Sequence, residues 1–141
     1  MKKLTFLAAV TLLLLAIPIR GQAQTIKVGG GVELRSEPPA AMITKITYNL
    51  GVLDPNLRIS LDAAIIPDFE GNLDMHYSFV KESGFDAYAL AGVNMAHRWG
   101  GNAGAGVNFE LSESLDAFGE VKYLINRSPQ ASIKLGLLYK L

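Results

Sequence analysis

The chain has 141 residues, half of them hydrophobic, with 13 Lys and Arg matched by 13 Asp and Glu and no cysteine. Such a length builds one domain. The missing cysteines exclude a disulfide framework and a lipid-modified cysteine anchor, and the absence of clustered Lys and Arg excludes nucleic acid as a partner.

The opening segment, MKKLTFLAAVTLLLLAIPIRGQAQ, starts with two lysines, runs apolar from Leu4 to Ile19 and ends on small residues at Gly21 and Ala23. This is the pattern of a secretory signal cut after Ala23, and the run is shorter than the ~20 residues a spanning helix needs. Residues 1–23 are therefore read as a signal peptide and 24–141 as one barrel domain. Removing Lys2, Lys3 and Arg20 leaves ten basic and thirteen acidic side chains.

Eight runs with a period of two follow, the spacing of a β-strand. The first, Thr25 to Arg35, sets Ile26, Val28, Val32 and Leu34 against Lys27 and Glu33, and Pro38-Pro39 ends it. The second, Met42 to Val52, collects Ile46, Tyr48, Leu50 and Val52 on one face and closes in an Asp54-Pro55-Asn56 turn. The third alternates Leu57, Ile59, Leu61, Ala63 and Ile65 with Arg58, Ser60, Asp62 and Ala64. In the fourth, Leu73, Met75, Tyr77 and Phe79 alternate with Asp74, His76 and Ser78, before a Glu82-Ser83-Gly84 turn. The fifth, Phe85 to about Ala96, has alanines beside Tyr88 and Leu90 and leaves its faces undecided. HRWGG then reads as a loop.

The sixth run, NAGAGVNFEL from Asn102 to Leu111, places Ala103, Ala105, Val107, Phe109 and Leu111 opposite Asn102, Gly104, Gly106, Asn108 and Glu110. After a Ser112-Glu113-Ser114 turn, the seventh sets Leu115, Ala117, Val121 and Tyr123 against Asp116, Glu120 and Lys122, with Phe118 on the polar side. The eighth carries Ala131, Ile133, Leu135, Leu137, Tyr139 and Leu141 opposite Ser132, Lys134, Gly136 and Lys140. Eight strands of about ten residues match the smallest transmembrane barrels. The expected fold is all-β, an eight-stranded antiparallel up-and-down transmembrane β-barrel. With the amino terminus in the periplasm, the turns at Asp54, Ser83 and Glu113 face the periplasm. The segments around Pro38, Phe69, Trp99 and Ser128 then face outward from the cell.

Alternation alone does not say which face meets solvent. The polar face mixes charges of both signs with Gly29, Gly31, Gly51, Gly104, Gly106 and Gly136. Glycine weakens an exposed strand, whereas in a narrow barrel a small residue on one strand makes room for a large one on another. The polar face is thus assigned to the lumen as a network of Lys27, Glu33, Lys45, Arg58, Asp62, Asp74, His76, Glu110, Glu120, Lys122 and Lys134. Ile59, Leu61, Tyr77, Phe79, Phe109, Tyr123, Leu135, Leu137 and Tyr139 are assigned to the lipid face, the aromatics near strand ends where interface girdles sit.

The carboxyl-terminal half, with its glycine-rich GAGVNFEL strand, short serine-containing turn, LDAFGEVKY strand and last strand carrying Gly136 and Tyr139, resembles the small outer-membrane β-barrel family of Gram-negative bacteria typified by OmpX and OmpA. The resemblance covers about fifty residues. It implies a barrel in the outer membrane, in contact with its lipid and lipopolysaccharide, whose last strand is read by the barrel-assembly machinery. Gly136, Tyr139 and Leu141 are then the assembly signal, with Leu141 standing where the family often ends in Phe.

Asp74-x-His76-x-Ser78 is similar to the His-x-Ser pair of outer-membrane lipid A deacylases, yet Glu82 and Asp86 lie too close along the chain to serve as the acid. No metal or cofactor site is expected: Asp74 and His76 lack further ligands on their own strand, and Gly29-Gly30-Gly31 lacks the Lys-Ser/Thr and helix of a phosphate loop. Arg98-Trp99-Gly100-Gly101 at an outer loop is read as an interfacial anchor, with a loop ligand as the other reading. The expectation is a structural, surface-presenting barrel without a wide pore and without enzymatic activity. The rivals are a lipid-modifying outer-membrane enzyme and a soluble ligand-binding barrel with its faces reversed.

Overall fold

The structure, a computed structural model, describes residues 25–36, 40–51, 53–66, 69–95, 99–125 and 129–141. The segment read as a signal peptide, Pro38-Pro39, Val52, His97-Arg98 and Ser128 lie outside the described residues. Eight strands follow in order: β1 Ile26–Arg35, β2 Ala40–Asn49, β3 Leu57–Ile66, β4 Glu70–Glu82, β5 Phe85–Met95, β6 Trp99–Ser112, β7 Leu115–Ile125 and β8 Gln130–Lys140. Each pairs antiparallel with its neighbour, and β1 pairs with β8, so the sheet closes without an edge.

Several expected boundaries move: β2 begins at Ala40 rather than Met42, and β4 at Glu70 rather than near Leu73. Trp99 was expected in a loop but begins β6, because it pairs with Met95 and only three residues separate β5 from β6. The second run stops at Asn49 rather than Val52. There the Leu50 N–H donates to the Leu57 carbonyl while the Leu50 carbonyl accepts from Leu53 and Asp54, which turns the chain, and the Asp54 carboxylate accepts from the Asn56 N–H at 2.8 Å.

Register partners lead round the wall from Arg35 through Ser132, Lys122, Gly104, Leu90, His76, Arg58 and Asn49 to Thr25, ten positions below the start. A stagger of ten over eight strands tilts them by roughly 40° and gives ten-residue strands a height of about 25 Å. That is the height of the apolar band of a transmembrane barrel.

Closure presses backbones together where the first and last strands meet. A Cβ on Gly31 would lie 2.7 Å from the Gly136 Cα and 2.8 Å from the Leu135 carbonyl carbon, and one on Gly29 would run into Leu137. Gly31→Ala is therefore expected to cost about 1–3 kcal/mol through forced backbone shifts. Urea titration of the refolded barrel checks this; unchanged stability would remove the seam constraint.

The two faces are distinct. Val32, Leu34, Met75, Tyr77, Phe79, Phe109, Val121, Tyr123, Ile133, Leu135, Leu137 and Tyr139 point outward and are exposed. Ile59 and Leu61 share that outward register, opposite Tyr48 and Ile46; Ile59 is half-buried and Leu61 buried. The strands place Tyr77, Phe79, Phe85, Phe109 and Tyr139 at the end holding the chain termini, with the Phe85 and Phe109 rings 5.1 Å apart. Trp99 and Tyr123 stand toward the opposite end.

A candidate functional site in the barrel lumen

The inward face carries the buried polar residues, and they form three layers. The middle one centres on Asp62, whose carboxylate is inaccessible to solvent. It accepts from Lys45 Nζ of β2 at 3.1 Å, Lys122 Nζ of β7 at 2.9 Å and Lys134 Nζ of β8 at 2.8 Å, and from Ser60 Oγ at 3.1 Å. Lys122 also pairs with Asp74, and Lys45 donates to Glu120 Oε1 at 2.6 Å. Three lysines thus face three carboxylates, and their formal charges cancel. An unpaired charge at such depth would be strongly unfavourable, and the reciprocal pairing removes that penalty.

The second layer lies toward the termini. Tyr88 donates its hydroxyl to Glu120 Oε1 at 2.8 Å, stacks on His76 with centroids 4.6 Å apart, and carries the Arg58 guanidinium 4.7 Å from its ring centre. Beside it Phe118 lies under Lys45 Nζ, 5.1 Å from the ring centroid, and joins Ile43, Ala41, Ala64 and Leu138 in an apolar cluster. Glycine makes this possible: a Cβ on Gly106 would sit 2.6 Å from the Tyr88 ring, and one on Gly136 would sit 2.7 Å from Phe118. Toward the opposite end, the third layer contains Asn94 and Asn102 donating to Asn72 Oδ1 at 2.8 and 3.4 Å, and Arg35 pairing with Glu70.

At the mouth beside the termini, Lys27 pairs with Asp116 at 2.6 Å, Lys140 with Asp116 at 3.2 Å and with Glu110 at 3.3 Å, and Arg58 with Asp86. These line a cavity of about 300 Å³ that reaches Arg58 of the Tyr88 layer.

All eleven residues assigned to the lumen lie on the inward register. Lys45, Arg58, Asp62, Asp74, His76, Glu120, Lys122 and Lys134 meet in the two inner layers, Lys27 and Glu110 join the mouth, and buried Glu33 stands opposite Lys134. Sequence reasoning missed Tyr88, Asp86, Arg35, Glu70, Asn72 and Asn94 as members, and placed Asp116 and Asn102 on the polar face without naming them in the network. The parity of β5 was the available signal, since Tyr88 pairs with Gly106 of the clearly alternating β6.

The fold also supplies an acid near His76 that the sequence did not reveal. Glu120 Oε1 lies 3.9 Å from His76 Nε2. That oxygen is already held by Lys45 and Tyr88, and His76, Ser78 and Glu120 are all buried inside the barrel rather than on its outer wall. The constellation forms part of an ion-pair layer. Among the described residues no group of three or more His, Asp or Glu is arranged to hold a metal ion.

No protein-family model and no curated protein matches the chain. Solved structures do. A de novo designed transmembrane β-barrel is 19% identical over 83% of this chain and 95% of its own, with a TM-score of 0.67. The amino-terminal β-barrel domain of Pseudomonas aeruginosa OprF is 13% identical over 83% and 97%, with a TM-score of 0.60. Ail, the attachment invasion locus protein of Yersinia pestis, is 12% identical over 84% and 97%, with a TM-score of 0.56. The fold is that of the small eight-stranded outer-membrane barrels. At the end away from the termini, four, three, three and four residues join β1 to β2, β3 to β4, β5 to β6 and β7 to β8.

Proposed function

We propose that the chain is an integral outer-membrane protein whose product is the barrel itself, a lipid-embedded wall with a sealed, ion-paired interior, no wide pore and no enzymatic activity. The observation that carries the reading is the inversion of faces: large apolar side chains cover the outside of the closed sheet while the charged ones pair inside it. A water-soluble barrel arranged this way would leave an apolar surface far larger than soluble proteins tolerate. Ile59, Leu135 and Leu137 then contact acyl chains, with Leu61 packed beneath its neighbours on the same face, and Tyr77, Phe79, Phe109 and Tyr139 form the girdle at one interface, with Tyr123 toward the other. Gly136 and Tyr139 on the closing strand, with Leu141 just beyond it, are the segment offered to the barrel-assembly machinery.

The short connections shift the emphasis away from display. Connections of three or four residues offer little chain to a partner, so contact with lipid and lipopolysaccharide headgroups outweighs presentation of a loop. The role is one of envelope structure.

Fractionation of cells making the full chain tests the reading. Recovery in the outer membrane, a gel mobility that changes on boiling, and planar-bilayer traces without porin-sized steps are the expected results. A soluble periplasmic product, or large stable conductance steps, would contradict it.

A further inference from the structure

We infer that the barrel carries a charge-operated clasp at one end of its closing seam: Asp116 of β7 holds β1 and β8 together there, and the seam opens from that end when the carboxylate loses its charge. The device goes beyond the envelope role and holds whichever end of the barrel faces the cell.

Two register pairs carry the argument. Lys27 of β1 and Lys140 of β8 are direct partners, the last pair of the seam at the end holding the termini. Glu110 of β6 and Asp116 of β7 are direct partners at the same end. Like charges standing opposite each other on neighbouring strands destabilise a sheet. The other register pairs between Lys and Asp or Glu join opposite signs: Glu33 with Lys134, Lys45 with Asp62, Lys81 with Asp86 and Glu120 with Lys134. Among the described residues, only this corner sets like against like, and it does so twice.

The two repulsive pairs answer each other. Asp116 meets Lys27 Nζ at 2.6 Å and Lys140 Nζ at 3.2 Å, while Glu110 meets Lys140 Nζ at 3.3 Å. The corner is therefore neutral only as a quartet drawn from four strands. Asp116 is its centre, because it alone grips both lysines and its side chain is 4% exposed against 44% for Glu110. An exposed pair contributes little.

The seam needs such a clasp more than any other strand pair does. β1 and β8 are the first and last strands, so no turn ties them, whereas each of the other neighbours is joined by a connection. Unsupported ends of this kind are where local opening begins. Beyond the lysine pair the backbone adds the Leu141 N–H donating to the Ile26 carbonyl at 2.9 Å. With Asp116 neutral, Lys27 and Lys140 repel and opening relieves them. Near the far end of the seam Glu33 stands opposite Lys134, so like charges press only on the end beside the termini.

The test is amide hydrogen–deuterium exchange of the full barrel refolded in nanodiscs, read residue by residue by NMR. Asp116→Asn keeps the size of the side chain and removes its charge. It is expected to speed exchange about tenfold at Leu141 and at the seam partners Val28 and Tyr139, and to leave the amides of β3 and β4 unchanged. Adding Lys27→Gln removes the repulsion without giving back the carboxylate, and is expected to return those amides to within about twofold of the unaltered protein. That rescue separates the clasp from a mere loss of packing at Asp116, which a second substitution would deepen. If Asp116→Asn does not refold, refolding of the double variant is the rescue, and failure of both would overturn the inference. So would exchange unchanged by Asp116→Asn, a rise of equal size in β3 and β4, or a double variant that exchanges no more slowly than the single one.

Discussion

Replacing Asp62 with alanine is expected to destabilise the barrel by about 3–5 kcal/mol, because it strands buried cations without their counter-charge. Asp62 is the acceptor shared by Lys45, Lys122 and Lys134, which arrive from three strands. Lys45 keeps Glu120 and Lys122 keeps Asp74, but Lys134 has no other ion-pair partner within 4 Å among the described residues. The control is Lys134→Met, which leaves Asp62 with two lysines and fills the space with an unbranched apolar chain. Its cost is expected to be clearly smaller. Urea titration of both variants in lipid vesicles, followed by gel mobility, measures the difference. Asp62→Ala within about 1 kcal/mol of the unaltered protein, the range of an ordinary surface change, would remove the hub from the account.

The second large effect is expected on the opposite face. Leu135 is the sixth of the eleven residues of β8, points outward and is half exposed, which puts it near the middle of the band. Leu135→Arg is expected to cost ~2–4 kcal/mol there, while the same change at Ile125, exposed at the last position of β7, is expected to cost ~0–1 kcal/mol. The depth dependence is the informative part. A soluble barrel would tolerate both changes alike, so equal and small effects would argue that water, not lipid, lies outside.

Most of the fold was legible because a strand reports itself locally. The alternation in β3 and β8 needs no knowledge of the partners: Leu57, Ile59 and Leu61, or Ile133, Leu135 and Leu137, declare one face by period alone. β5 did not, since Ala87, Ala89 and Ala91 are small enough to belong to either face, and only pairing with β6 fixes Tyr88 inward. Phe118 looked like an exception on the polar side of its strand. It is an inward residue whose ring packs against Gly136 and lies beneath Lys45.

The composition of the lumen was legible, but its pairing was not. Lys45 and Asp62 are direct register partners, yet Lys122 and Lys134 reach Asp62 from the far wall. Which residues face each other across the lumen depends on the stagger of ten, and no short stretch of sequence encodes that number. The same holds for Glu120 near His76, separated by 44 positions along the chain and brought within 3.9 Å only by closure. Turn chemistry explains the displaced end of β2: Leu50 continues the apolar alternation, but its backbone groups are committed to the turn before Asp54.

The most direct test of the central claim is a scan of single cysteines from Ala131 to Leu141, each carrying a spin label, in nanodiscs; the chain has no cysteine of its own to interfere. The account predicts oxygen accessibility with a period of two, high at Ile133, Leu135, Leu137 and Tyr139 and low at Ser132, Lys134, Gly136 and Leu138. A flat profile, or one with Lys134 and Gly136 at the maxima, would contradict it.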